Sequence, residues 1–187
     1  MTLTVRARGD AIATFRFVSV YLMETLARWV PTTPDMEVKV LFGRHLWELA
    51  QHADAFGRRT AELRLGPQVS RDPVPPFRAT LDGFAATTGT AERVDGFYAG
   101  VVPLLDRLYR EYVALTDALL DEPSVRILER VLADLDRLRR DREELRRERP
   151  DIAMTRPEDA SRLAQAAPTL RDMVDFRPAA PAGADAT

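Results

Sequence analysis

The chain has 187 residues, of which 45% are hydrophobic and 30% are charged, and its formal net charge is -2. Its length suits one domain with a sizeable core, and its charge balance argues against nonspecific nucleic-acid binding, which needs a basic surface. Because the chain has no cysteine, disulfides, thiol catalysis and cysteine-ligated metals are excluded.

The sequence carries no signal for a membrane or for secretion. No apolar run reaches the roughly 18 residues that a membrane span requires. The first ten residues, MTLTVRARGD, lack the apolar region of a secretory signal. We therefore expect a cytoplasmic protein that does not bind a membrane.

The first part of the sequence predicts two long amphipathic helices. Asp10 is a suitable cap for a first helix that ends near Val30. The residues of its core-facing stripe follow one another at intervals of three and four: Ile12, Phe15, Ser19, Leu22, Leu26 and Trp29. Thr33 is a suitable cap for a second helix, with Pro34 at its first position, and this helix is predicted to end near Leu65.

A proline-rich connection follows the first two helices. Residues 66–77 contain four prolines and a glycine, a composition that excludes a regular helix. Residues 78–87 are predicted to form a short helix. The whole connection, residues 66–89, is long enough to travel the length of a helical bundle.

The second half of the sequence predicts another pair of long helices. The first of these begins at Thr90, and Pro103 is expected to kink it because proline leaves the carbonyl four residues earlier without a donor. The second begins after a turn at residues 121–123 and ends at Pro150. Its last turns alternate arginine with glutamate, which is typical of a solvated helix end.

Residues 1–150 are therefore expected to form one helical domain and residues 151–187 a C-terminal tail. Several apolar residues of the tail are expected to dock on the domain: Leu163, Leu170, Met173, Val174 and Phe176. Residues 178–187 are a low-complexity stretch of alanine and proline, for which we expect disorder.

The second helix contains the only two histidines of the chain, His45 and His52, with Glu48 between them. Their spacing of i, i+3 and i+7 places all three side chains on one face of a helix. This face continues an apolar stripe that begins with Val38 and Leu41, so it is expected to point toward the core. Histidine and carboxylate side chains grouped in this way indicate a metal site.

The order of a helical hairpin, a long crossover and a second hairpin resembles the ferritin-like superfamily over residues 10–149. The resemblance implies an all-α, four-helix bundle whose core binds two iron or manganese ions through glutamate and Glu-x-x-His ligands. Here Glu48 and His52 match that motif with one additional residue between them, and His45 lies one turn earlier.

Counting residues from the predicted turns extends this candidate site to the other helices. Asp106 and Asp136 fall near the level of Glu48, and Arg16 falls where the first helix would supply a ligand. An arginine repels a metal ion but forms a salt bridge with a glutamate. An alternative interpretation is therefore a buried polar cluster in which Glu48 orients the histidines and Arg16 balances its charge.

Two functions remain open at this point. The first is a degenerate ferritin-like protein without a working di-metal site. Its role would be binding or structural, and one partner would be a second copy of the chain in a homo-oligomer such as a dimer. The second is an iron- or manganese-dependent oxidoreductase, with acids of the third and fourth helices completing the site. In the second case the metal would lie beside an apolar pocket lined by Phe15, Phe42 and Tyr98.

Overall fold

The computed structural model describes residues 3–154 and 169–176. Within these ranges the chain is helical and contains no strand, so the prediction of an all-α protein is confirmed. The α-helices are α1 (Val5–Thr32), α2 (Met36–Glu62), α3 (Pro75–Ala85), α4 (Thr90–Asp95), α5 (Val102–Leu115) and α6 (Glu122–Glu148). A π-helical segment, Gly96–Val101, joins α4 to α5, and a 3-10 turn covers Leu170–Asp172.

Two helix starts differ from the prediction because other residues provide the caps. Helix α1 begins before Asp10, since the Thr4 hydroxyl accepts a hydrogen bond from the backbone N–H of Ala7 at 3.2 Å. Thr33 ends α1 instead of beginning α2, because its N–H and its hydroxyl both donate to the carbonyl of Trp29. Asp35 therefore occupies the N-cap position of α2.

The short helix of the connection also begins earlier than predicted, at Pro75. Prolines at the first two positions of a helix are compatible with it, because the N–H groups there have no partner within the helix. The prediction treated every proline in residues 66–77 as evidence against a helix and so placed the start at residue 78.

The first two helices form an antiparallel hairpin. The ring centroids of Phe15 and Phe56 lie 5.8 Å apart, and those of Trp29 and Phe42 lie 5.7 Å apart. A step toward the end of α1 is therefore matched by a step toward the start of α2. Because the hairpin packs along its whole length, it fixes the position of every side chain on the inner face of α2.

Helices α2 and α5 run in the same direction. The ring of Phe42 lies 6.4 Å from that of Tyr98, and the ring of Phe56 lies 5.9 Å from that of Tyr109. Two parallel helices need a connection that returns along the full length of the pair. Residues 63–89 provide this connection, which begins three residues before the predicted start at residue 66 because α2 ends at Glu62.

The returning connection follows α1. The N–H of Arg71 donates to the carbonyl of Ala13 at 3.1 Å, near the start of α1. Further along, the hydroxyl of Tyr21 donates to Asp82 at 2.6 Å. Near the end of α1, the indole N–H of Trp29 donates to the carbonyl of residue 85 at 3.3 Å. These contacts fix a path from one end of α1 to the other.

One hydrophobic core unites these helices, and the described part of the tail contributes to it. Leu170, Met173 and Val174 are buried in this core, and the N–H of Val74 donates to the carbonyl of Met173 at 3.0 Å. The expectations for Leu163 and for residues 178–187 fall outside the described residues. Among the helices of residues 3–154 and 169–176, none has the length and apolar character needed to cross a membrane.

The π-helical segment Gly96–Val101 lies directly before Pro103, the residue at which the sequence predicts a kink. A π turn closes an i to i+5 ring, one residue wider than the turn of an α-helix. The wider turn lies where Pro103 cannot donate a hydrogen bond to the preceding turn. It also positions Tyr98 toward His45 of α2, with ring centroids 5.4 Å apart.

Candidate functional site

The predicted face of α2 does point inward, and it meets α6 in a row of polar pairs that we call the α2–α6 ladder. Its members are the pairs His45–Asp141, Glu48–Arg137 and His52–Asp134. The two helices are antiparallel, so a step of seven residues forward on α2 corresponds to a step of seven residues back on α6. Each histidine therefore meets an aspartate at the same relative position.

His45 is fully buried and forms hydrogen bonds through both ring nitrogens. Its Nε2 lies 3.0 Å from Asp141 Oδ2, and its Nδ1 lies 2.7 Å from the hydroxyl of Tyr98. Burial lowers the pKa of His45, although the contact with Asp141 opposes this effect. The ring is therefore neutral at pH 7 and carries one N–H.

The chemistry of Asp141 decides which nitrogen carries that proton. Burial alone would raise the pKa of Asp141, but hydrogen bonds from His45 and Arg44 outweigh burial and hold the pKa below its ordinary value. An ionised carboxylate only accepts hydrogen bonds, so we assign the N–H to Nε2 of His45. Nδ1 then accepts the O–H of Tyr98. The result is a chain of hydrogen bonds from Tyr98 through His45 to Asp141.

Glu48 lies between the histidines and binds an arginine of α6 that the sequence analysis did not identify. Nε of Arg137 donates to Glu48 Oε1 at 3.0 Å, and its NH2 donates to Asp134 at 2.6 Å. Arg16, the predicted partner, instead donates to Gln68 and Ser70. Burial raises the pKa of Glu48, although Arg137 opposes this effect.

Asp134 connects the Glu48 pair to His52. Its Oδ2 lies 3.0 Å from Nε2 of His52, while its other oxygen accepts from Arg137. The hydrogen bond from His52 is the main reason that the pKa of Asp134 lies below its ordinary value. Asp134 is therefore ionised at pH 7 and balances part of the charge of Arg137.

The remaining two predicted ligands, Asp106 and Asp136, belong to a different group of charges. Arg139 NH2 binds Asp106 at 2.9 Å and Asp136 at 2.7 Å, and Arg110 also binds Asp106. Asp134 on the same helix contacts α2 instead, because residues two apart point in different directions from an α-helix. The side chain of Asp136 is 49% exposed.

The prediction that five side chains assemble into one metal centre is therefore not supported. In the part of the chain that the structure describes, no three histidine, aspartate or glutamate side chains are grouped so that they could hold a metal ion. The predicted set was His45, Glu48, His52, Asp106 and Asp136. Residue counting gave the level of each residue along the bundle but not its direction around the helix, and direction decides which side chains meet.

The predicted apolar pocket is also absent from this position. Phe15 and Phe42 are fully buried and Tyr98 is nearly so. Phe42 and Tyr98 stack on each other with centroids 6.4 Å apart. These rings fill the core between the helices and so do not line an open cavity for a substrate.

Acidification is expected to destabilise the fold through His45. Its pKa in the folded chain lies below the ordinary value of 6.5, so the unfolded chain binds the proton first as the pH falls. Stability is therefore lost as the pH drops through 6.5 toward the lower pKa of the folded state. Urea unfolding at pH values from about 7 to 5 measures this loss.

A His45→Gln variant provides the control for this pH dependence. Glutamine does not titrate, so the part of the pH slope due to His45 should disappear in the variant. The raised pKa of Glu48 acts in the opposite direction, and it is present in both proteins. Identical pH slopes for the two proteins would contradict the assignment of a depressed pKa to His45.

A second feature of α2 lies on its solvent-exposed side, away from the core. Met36, Val40 and Trp47 are 65%, 57% and 65% exposed, and Gly43 lies between them. We call these four residues the outer face of α2. Beside it runs a groove of about 370 Å³ between α2 and α6, lined by Met36, Glu37, Val40, Leu41, Arg44, Asp141, Glu144, Leu145 and Glu148.

Comparisons with protein-family models, with characterised proteins and with solved structures found no match to this chain. The chemistry of the site therefore rests on its geometry. Its partners on α6 do carry a signal in the sequence, because Asp134 and Asp141 have the same spacing of seven as His45 and His52. This interval alone gives candidates and not the ladder itself, because other acidic pairs of α6, such as Asp136 and Glu143, have the same spacing.

Proposed function

We propose that the protein is a ferritin-like four-helix bundle in which ion pairs occupy the place of a di-metal centre. The bundle would consist of α1, α2, the continuous helix from α4 to α5, and α6. Two features support it: α2 and α5 are parallel, and residues 63–89 return along α1 between them. One long crossover between two hairpins is the connectivity of ferritin-like bundles.

The observation that carries the loss of the metal centre is that the candidate ligands already have charged partners. Glu48 binds Arg137, and Asp106 and Asp136 share Arg139. A cation at a ligand position offsets the carboxylate charge that would attract iron or manganese, and it occupies the oxygen atoms that would bind. The histidines are similarly engaged, each with an aspartate of α6.

Without that centre, the protein is expected to act by binding through its surface. The outer face of α2 supports this role, because contiguous exposed apolar side chains on a helix are typical of interaction sites. The function we infer is therefore that of a binding or structural protein. An iron- or manganese-dependent oxidoreductase is the alternative that the following experiment tests.

Metal analysis by mass spectrometry tests the proposal. The protein is purified without a histidine tag and measured before and after anaerobic loading with Fe(II). We expect no stoichiometric metal in either sample. One or two ions per chain that are lost in a Glu48→Gln variant would overturn the proposal and favour the oxidoreductase.

The same Glu48→Gln variant has a second readout in the absence of metal. Arg137 is half exposed and keeps its contact with Asp134, so losing the Glu48 charge leaves no isolated buried cation. We expect the free energy of unfolding to change by less than about 1 kcal/mol. A much larger loss would indicate that Glu48 is central to the stability of the bundle.

A further inference from the structure

We propose that the outer face of α2 binds the same face of a second copy of the chain, with the two α2 helices antiparallel and crossing near Gly43. This inference rests on the proposed binding function and names its partner. It arises from four properties of the face, which are its symmetry, its glycine, the groove beside it and the charges around it.

The outer face of α2, taken together with Gln51 one turn beyond Trp47, has its exposed side chains arranged symmetrically about its centre. Met36, Val40, Trp47 and Gln51 are exposed, and they follow one another at intervals of four, seven and four residues. A two-fold axis between residues 43 and 44 therefore brings Val40 of each copy opposite Trp47 of the other. A two-fold interface requires this kind of self-complementarity.

Gly43 lies at the crossing point, where the helices would approach most closely. Glycine inside a helix is destabilising relative to alanine. Within the described chain nothing requires the glycine, because a Cβ built at Gly43 would meet no atom within 4 Å beyond the backbone of its own helix. A second helix that packs closely at this point would account for it, since small residues let two backbones approach.

The groove between α2 and α6 provides a place for the indole ring of Trp47 from the other copy. Val40 and Met36 form one wall, and Leu41 and Leu145 add apolar surface. Trp47 lies seven residues from Val40, about 10 Å along the helix axis. In the antiparallel pair, each Trp47 would therefore reach the groove of the partner copy at the same time.

Charge complementarity favours the same arrangement. The groove carries the acidic residues Glu37, Glu144 and Glu148. Arg44 also lines it, and although its NH1 binds Asp141 of its own chain at 3.1 Å, its side chain remains 58% exposed. Glu144 lies on α6 close to the level of the crossing point, because the α2–α6 ladder aligns residue 141 with residue 45. The two-fold axis places Arg44 of one copy at that level beside Glu144 of the other.

The first test is the oligomeric state of the full chain by sedimentation velocity over a wide range of protein concentrations. We expect a concentration-dependent dimer for the natural sequence. Trp47→Asp should weaken it at least thirtyfold, roughly the effect of losing a central interface residue. Leu119→Asp is the matched control, because Leu119 is 86% exposed on the turn before α6, and this variant should remain dimeric.

A charge exchange tests the register without relying on the loss of an apolar side chain. Arg44→Glu and Glu144→Arg should each weaken self-association, since each places like charges together. Mixing the two variants should restore dimers, because residue 44 of each variant then meets a residue 144 of opposite charge in the other variant. Circular dichroism verifies that every variant is folded.

Two results would overturn the inference. One is a natural chain that remains monomeric at every concentration, and the other is a dimer unaffected by Trp47→Asp. Neither result affects the metal measurement, so a metal-free monomer would refute the second copy and leave the proposed loss of the metal centre intact. Stoichiometric metal in a dimeric protein would refute the proposed loss of the metal centre and leave the binding of a second copy intact.

Discussion

Replacing Asp121 with alanine is expected to lower the free energy of unfolding by about 3–5 kcal/mol, because it removes one partner of a buried ion pair. Asp121 is fully buried at the turn between α5 and α6. It accepts a hydrogen bond from Arg59 NH2 at 2.9 Å, and Arg59 is itself mostly buried. The variant would leave part of that cation without its counter-charge.

The same carboxylate also binds three hydroxyl groups, which adds to the expected loss. Tyr112, Thr116 and Ser124 donate to it at 2.7, 2.8 and 2.7 Å. Burial would raise the pKa of Asp121, but these hydrogen bonds and Arg59 together hold the pKa below its ordinary value. The stabilisation is therefore present above pH 3.8, the ordinary value, and is lost as the pH falls below it.

Asp117→Ala is the matched control for this prediction. Asp117 lies in the same turn but is only partly buried, and it accepts hydrogen bonds from the N–H groups of Leu119 and Leu120. Its loss should cost about 1 kcal/mol, the effect of losing a cap. Equilibrium urea unfolding measures both variants, and equal losses would contradict the role assigned to the buried carboxylate.

Replacing Phe15 with alanine is expected to cost about 3–5 kcal/mol for a different reason, the cavity left in a tightly packed core. Phe15 is fully buried on α1, and its ring lies 5.8 Å from Phe56 of α2. On the other side it meets Tyr109 and Tyr112 of α5 edge-on, at 4.8 and 5.5 Å. It therefore joins three helices at once.

Phe17→Ala tests whether burial, rather than loss of an aromatic ring, produces this effect. Phe17 lies two residues further along α1, is only partly buried, and stacks on Tyr21 with centroids 6.1 Å apart. We expect its replacement to cost about 1–2 kcal/mol, within the range of ordinary substitutions. Thermal and urea unfolding give both values, and a larger loss at Phe17 would refute the assignment of Phe15 as the central ring.

The sequence predicts the helices well because periodicity and helix breakers are local signals. The exclusion of a helix from residues 66–77 holds as far as residue 74 and is wrong for residues 75–77, which begin α3. Pro150 lies just after the end of α6. Starts were less accurate where a competing cap was present, as with Thr4 ahead of Asp10. Capping depends on one hydroxyl and one N–H, and several residues in a short segment can provide it.

The candidate site was predicted in part. The inward direction of His45, Glu48 and His52 follows from their position in an amphipathic helix. The interpretation as a polar cluster named the wrong partners, because aspartates of α6 and not Glu48 bind the histidines, and Arg137 binds Glu48. Their partners could not be assigned from counts of residues between turns, since those counts do not give the rotation of α6. That rotation is decided by packing of the whole bundle, which brings Arg137 rather than Arg16 to Glu48.

The π segment gives the helix from Thr90 to Leu115 a specific tolerance to a change of length. A π turn holds one residue more than an α turn, so deleting one residue from Gly96–Val101 would leave a regular α-helix. Leu105, Leu108 and Tyr112 would still face the core, because the additional residue is contained in the wider turn. The deletion would instead change the segment that carries Tyr98, so we expect it to disturb the hydrogen bond to His45 more than the core.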